Sequence, residues 1–221
     1  MAETLHLLGI SDVEIGFIYS PMVMDRFKNI DLVFSCGDLP YYYLEYLVST
    51  LNVPLYFVRG NHASTVEFTS AGERTSPWGA KDLHRRMLQD DTGLLLAGME
   101  GSLQYNFGPH QYTQQQYWGM VLSLVPALLL NQIRYGRYLD VFISHAPPWH
   151  IHDESDRPHQ GIKAFRWLID VFQPVYFLHG HIHVYRNSTE VRTRIGKTEV
   201  INVYGYHEME LKSPAGRSQE K

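Results

Sequence analysis

The 221-residue sequence predicts an α/β fold, and three observations carry that prediction. Short apolar runs rich in Val, Leu, Ile, Phe and Tyr recur along the chain, each about the length of a fully buried strand. Between several of them lie longer stretches with apolar residues at helical spacing. Each run stops in a polar cluster, commonly built around a glycine. Strands that alternate with helices imply a sheet covered by those helices.

The first run, Leu5–Ile10 (LHLLGI), leads into Ser11-Asp12-Val13-Glu14. The second, Asp31–Ser35 (DLVFS), leads into Cys36-Gly37-Asp38, and a helix is expected over Pro40–Leu51. The third, Pro54–Val58 (PLYFV), leads into Arg59-Gly60-Asn61-His62. Ala63–Asp91 is polar and reads as a long loop with a short helix. Tyr112–Arg137 should hold a longer helix, weakened in the middle by Pro126. Its segment Met120–Leu130 reads as buried helix, too short to span a bilayer. The fourth run, Asp140–Ser144 (DVFIS), precedes His145-Ala146-Pro147-Pro148. A helix follows within Gln160–Phe172, with Phe165, Leu168, Ile169 and Phe172 on one face. The fifth, Pro174–Leu178 (PVYFL), ends in His179-Gly180-His181-Ile182-His183. Val191–Gly196 and Lys197–Tyr206 suggest a hairpin around Gly196-Lys197. Residues 1–211 are expected to form one domain, with 212–221 a polar, disordered tail.

Composition narrows the class. With 44% hydrophobic and 19% charged residues the chain is that of a soluble globular protein, long enough for a sizeable core. A formal charge of −4 gives no global attraction to polyanions, which disfavours a general nucleic-acid binder. The lone Cys36 cannot form an internal disulfide, which fits a reducing compartment. The opening MAETLHLLG has an early acid and no basic stretch, unlike a secretory signal. The expected location is the cytoplasm, with no membrane partner.

Ligands of open α/β sheets bind beyond the carboxyl ends of the strands. Those ends carry Asp12 and Glu14, Asp38, Asn61 and His62, His145, then His181 and His183. Residues two apart in extended backbone face the same way, which pairs Asp12 with Glu14 and His181 with His183. Singly, each has a plain structural role: Asp38 could cap the helix near Pro40, Asn61 could serve a turn, and His145 could be a satisfied core histidine. Five such clusters, each after its own strand, are hard to explain as independent accidents. His179 sits last in its strand and reads as a supporting residue. His150, His152, Asp153 and His159 read as a solvated loop or the rim of a substrate mouth.

The order Asp12-x-Glu14, Gly37-Asp38, Gly60-Asn61-His62, His145 and Gly180-His181-x-His183 resembles the calcineurin-like metallophosphoesterases, and it spans most of the chain. The resemblance implies a four-layer αββα sandwich with two metal ions at the strand ends. One ion would be held by Asp12, Glu14, Asp38 and His183, and the second by Asp38, Asn61, His145 and His181, with Asp38 bridging. His62 would face the substrate phosphate as an acid or hydrogen-bond donor. The mixture of imidazole and oxygen donors suits Mn first, with Fe, Zn or Ni as alternatives, over Ca or Mg. The expected reaction is hydrolysis of a phosphodiester or phosphomonoester by a metal-bridging hydroxide, without a Ser or Cys nucleophile. The substrate would be a phosphorylated small molecule or nucleotide-like compound.

Two positions depart from the family pattern. Glu14 stands where histidine is common, and Ala63 stands where an acid usually follows the Asn-His pair. They motivate an alternative, a metallophosphoesterase-fold scaffold that binds partners without catalysis.

Overall fold

The computed structural model describes residues 4–69, 72–185 and 190–213. In the first half of the chain the elements are β1 (Thr4–Ser11), α1 (Met22–Arg26), β2 (Leu32–Ser35), α2 (Tyr41–Leu51) and β3 (Leu55–Phe57). Four short strands follow, β4 (Glu67–Thr69), β5 (Gly72–Arg74), β6 (Ala80–Asp82) and β7 (Met87–Gln89). Next come β8 (Leu95–Met99), β9 (Ser102–Leu103), β10 (Gln111–Tyr112), α3 (Gln114–Tyr135) and β11 (Val141–Ser144). The chain closes with α4 (Lys163–Phe172), β12 (Tyr176–His179), β13 (Arg192–Ile195), β14 (Thr198–Asn202) and β15 (Gly205–Lys212).

Two large sheets form the centre. One runs β15-β1-β2-β3-β6 and the other β13-β14-β12-β11-β8-β7. Within them β1, β2, β3 and β6 are parallel, as are β8, β11, β12 and β14. Three apolar layers account for the stacking. Leu7, Phe34, Tyr56, Leu96, Ile143, Leu178 and Ile201 join the two sheets face to face. Leu8, Ile10, Val33 and Phe57 pack outward against Val23, Tyr43, Leu44 and Leu47 of α1 and α2. Phe142 and Phe177 pack outward against Tyr117, Val121, Phe165 and Leu168 of α3 and α4. Helices, sheet, sheet, helices: this is the four-layer αββα sandwich. A strand with two covered faces has no polar side to show, so the strands read as continuous apolar runs.

Local signals set the helices. Thr113 and Gln116 form a reciprocal capping box that starts α3. α2 and α4 stop at Asn52 and Gln173 in left-handed conformation. α3 runs through Pro126 without a break. The missing N–H would have met the carbonyl of Leu122, a residue on the exposed face where water can serve instead. Met120–Leu130 is therefore not wholly buried: Leu122, Leu129 and Leu130 are exposed while Met120, Val121, Leu124 and Leu128 face the core.

Four sequence expectations need correction. Ala63–Asp91 holds the short strands β4 to β7 and, among the described residues, no helix. Strands of three residues are too brief for an alternation to show. The run Leu95–Met99 is a fully buried inner strand of the second sheet, β8, and was not among the five expected. The stretch Lys197–Tyr206 divides: β13 and β14 form the expected hairpin, with Ile195 opposite Thr198, but β15 crosses to the other sheet. There it pairs antiparallel with β1 along eight residues, from Thr4–Lys212 to Ser11–Gly205. Of the tail expected over 212–221, Lys212 instead ends β15 opposite Thr4 and Ser213 is buried, while residues 214–221 lie outside the described residues. Among the described residues no helix is long and apolar enough to cross a membrane.

Candidate metal centre

Parallel strands within one sheet send their carboxyl ends to the same edge, and the turns after β1, β2, β3, β11 and β12 carry the polar clusters there. At that rim the backbone departs sharply from extended geometry. Asp12, Asp38 and His181 have φ of 64°, 54° and 68°, each a strained left-handed conformation for a residue with a side chain. Such strain persists only where the surroundings over-determine it. Two glycines make the close approach possible. A Cβ at Gly60 would lie 2.0 Å from Asp38 Oδ1, and one at Gly180 would lie 1.9 Å from Ser11 Oγ and 2.5 Å from Asp12 Oδ2.

The rim brings together Asp12, Asp38, Asn61, His145 and His181. One ligand atom from each of Asp12, Asp38 and His145 lies within 4.8 Å of the others. Around His145 Nε2 gather Asn61 Oδ1 at 3.0 Å, Asp38 Oδ2 at 3.1 Å and His181 Nδ1 at 3.1 Å. Asp12 Oδ2 accepts the backbone N–H of His181 at 3.0 Å, and Asp38 Oδ1 that of His62 at 2.9 Å. Each imidazole spends one nitrogen on a backbone carbonyl. His145 Nδ1 is 2.8 Å from Cys36 O, and His181 Nε2 is 2.8 Å from Pro158 O. Those nitrogens donate, so a neutral ring turns the lone pair of the other nitrogen into the cluster.

Electrostatics agree with a cation site. Burial would raise Asp38, but the His145 charge and the His62 N–H hold it down to about 2. Burial would lower His145, but Asp38 and Asp12 raise it to about 9. Burial and the neighbouring His145 charge push His181 down to about 3. Burial chiefly, with the Asp38 carboxylate, raises Asp12. The pocket therefore favours one positive charge on His145 between two half-buried carboxylates. A divalent cation would take that place and release the His145 proton.

The remaining predicted residues stand at the surface. Glu14 is exposed and accepts the hydroxyl of Tyr42. His183 is exposed, with Nδ1 2.7 Å from Tyr185 Oη and its ring 5.0 Å from that of Tyr204. Neither belongs to the acid–imidazole group. The expected two-residue pairing fails here for a geometric reason: β1 ends at Ser11 and β12 at His179, so the alternation stops before Asp12 and His181. His62 is exposed and lines a pocket of about 220 Å³ with Glu14, Asp38, Ala63, Ser64 and Glu67. Glu67 cannot serve freely as the acid missing at Ala63, because both its oxygens accept the N–H of Tyr41 at the start of α2.

Several supporting groups carried no sequence signal. Tyr105 Oη accepts from Asn61 Nδ2 at 3.1 Å. The Cys36 and Pro158 carbonyls belong to backbone, which no motif marks. His179 is fully buried and joined to His152 at 2.8 Å, and His152 in turn to Thr193 at 2.9 Å. A second acid–imidazole group, Glu154, Asp156 and His159, lies outside the cluster on more exposed chain, with the His159 ring 5.2 Å from that of His181.

The fold and the sequence pattern have counterparts among known proteins. No curated protein sequence matches the chain. Among solved structures, TT1561 of Thermus thermophilus is 14% identical with a TM-score of 0.61, covering 97% of this chain and 96% of its own. GAP50, the anchor in the inner membrane complex of Plasmodium, is 11% identical with a TM-score of 0.51, covering 95% and 81%. At these identities the likeness concerns the fold. The sequence pattern reaches further: the model of the calcineurin-like phosphoesterases matches residues 5–185, which contain every strand-end donor described above, and the chain belongs to that family.

Proposed function

We propose that the chain hydrolyses phosphoesters with two divalent transition-metal ions, Mn preferred. The observation that carries this reading is the convergence of Asp38, Asn61 and His181 donors on His145 Nε2, with both imidazoles oriented by carbonyls. Asp38, Asn61, His145 and His181 would hold the inner ion. Asp12, Glu14, Asp38 and His183 would hold the outer one, with Asp38 shared. When bound, the ions would supply positive charge that polarises a phosphoryl group and acidifies water.

The chain's own residues do the rest. Asp38, with two oxygens already directed to different partners, suits a bridge; an imidazole has only one nitrogen free for this. His62 stands exposed in the pocket beside Asp38, where its ring can meet a phosphate oxygen or protonate a leaving alcohol. With Ala63 beside it and Glu67 engaged on α2, neither position supplies a free acid to orient His62. This favours phosphodiesters and other esters with good leaving groups over unactivated monoesters. A phosphorylated small molecule or nucleotide-like compound is the proposed substrate, and the cytoplasm the proposed location.

A second reading rests on the outer residues. Glu14 and His183 are occupied by tyrosine hydroxyls, which is what a binding scaffold without catalysis would tolerate. A screen separates the two. Metal-stripped protein, reloaded with Mn²⁺, is assayed on phosphodiesters, phosphomonoesters and cyclic nucleotides beside an Asn61→Ala control. The enzyme reading expects Mn-dependent turnover that the control loses by about a hundredfold or more. No turnover on any ester, with two ions bound, favours the scaffold.

A further inference from the structure

We infer that Tyr105 is a positioning residue for the inner ion: its hydroxyl holds the Asn61 carboxamide with the oxygen turned into the donor cluster. This rests on the metal reading proposed above. Asn61 is 3% exposed, and the two ends of its amide are nearly alike in size, so its partners decide which end faces inward. Oδ1 sits 3.0 Å from His145 Nε2, and Nδ2 donates to Tyr105 Oη at 3.1 Å. A cation requires the oxygen inward. The amide hydrogens must then point away, into a buried spot where an unmet N–H is costly. The phenol oxygen is the acceptor there. Without it, the flipped amide competes, and that form presents hydrogens to the cation.

The loop that carries Tyr105 is braced. Gln111 Oε1 accepts the N–H groups of Tyr105 and Asn106 at 3.2 and 3.1 Å. Gln111 Nε2 donates to Asn106 Oδ1 at 2.7 Å. Arg157 Nε donates to Gln104 O at 3.0 Å, and the next residue, Pro158, supplies the carbonyl that orients His181. Two loops outside the strand-end motifs are thus tied together. One orients Asn61 and the other His181, both donors of the same ion.

The test is an equilibrium Mn²⁺ titration of the chelator-stripped full chain, on wild type, Tyr105→Phe, Asn61→Ala and the double variant. Thermal melts of these four and of Gln111→Ala establish folding. Tyr105→Phe keeps the ring and should weaken the inner ion by about ten- to a hundredfold, with the outer ion unchanged. The double variant should bind no more weakly than Asn61→Ala alone, because the phenol acts only through the amide. Gln111→Ala, which loosens the loop without touching the phenol, should weaken the same ion to a smaller degree. Unchanged affinity in Tyr105→Phe, or a further loss in the double variant, overturns the role of Tyr105 while leaving the metal centre standing. A wild type that takes up no Mn²⁺ overturns the metal reading itself, and this inference with it.

Discussion

The two halves of the rim differ in how far their donors are committed. In the inner half, Asn61, His145 and His181 are buried, and each has a second partner that orients it. In the outer half, Glu14 and His183 are exposed and bonded to tyrosine hydroxyls. Burial makes the inner donors expensive to leave unpaired, and their second partners aim them. The outer donors have water nearby and can turn. The same residue types are thus pre-organised on one side of Asp38 and adaptable on the other. A donor set arranged in advance binds more tightly, because less ordering is left to the moment of binding. On the proposed two-ion reading, the ions should therefore bind with unequal affinity.

The largest test of that contrast is Glu14→Ala. If Glu14 turns in to hold the outer ion, the variant should lose one of two Mn²⁺ ions by elemental analysis and most activity. The inner ion should stay. Metal content and rate both equal to wild type would make Glu14 a surface residue and leave the outer half without its distinguishing ligand.

A smaller effect of opposite sign is expected from Tyr42→Phe. The Tyr42 phenol is raised to about 12, first by its hydrogen bond to Glu14. The same bond engages a carboxylate oxygen that an outer ion would compete for. Its removal should tighten the outer ion by about three- to tenfold, on the scale of one ordinary net hydrogen bond, and leave the inner ion untouched. Calorimetric titration with Mn²⁺ reads both. A weakened outer ion would mean that Tyr42 supports Glu14 rather than competing for it.

The smallest effect is on stability. Glu100 is buried beside the inner half and accepts Tyr112 Oη at 2.6 Å, with His110 Nδ1 at 3.1 Å and Arg59 Nη1 at 3.6 Å. Burial would raise its carboxyl, but the His110 contact, the His84 charge and the Tyr112 hydroxyl hold it down to about 2. A carboxyl lowered on folding stabilises the native state above its unfolded value, near 4.5, and loses that contribution as pH falls towards 2. The full contribution is at most roughly 3 kcal/mol. Glu100→Gln should lower the melting temperature at pH 7 and flatten its fall between about pH 4.5 and 2. A melting curve as steep in acid as that of wild type would mean that Glu100 does not carry this acid dependence. The backbone carries the link, since Gly101 N–H donates to Arg59 O, two residues before Asn61.

Read alone, the sequence placed a cluster of acids, an amide and imidazoles at the strand ends. The reason is local: a covered strand needs a continuous apolar run, and the polar cluster after it is read directly from the chain. The five runs, α2, α4 and the start of the final hairpin were legible for the same reason, and so were Asp12, Asp38, Asn61, His145 and His181. Tertiary structure alone decided which donors turn inward. Positive φ at Asp12 and His181 breaks the two-residue alternation, so Glu14 and His183 part from the residues they were paired with. It also decided what holds the inner donors. Tyr105 lies 44 residues from Asn61, and the Pro158 carbonyl lies 23 from His181. Contacts at that separation leave no period or spacing in a single sequence, because they depend on where packed sheets bring two loops to rest.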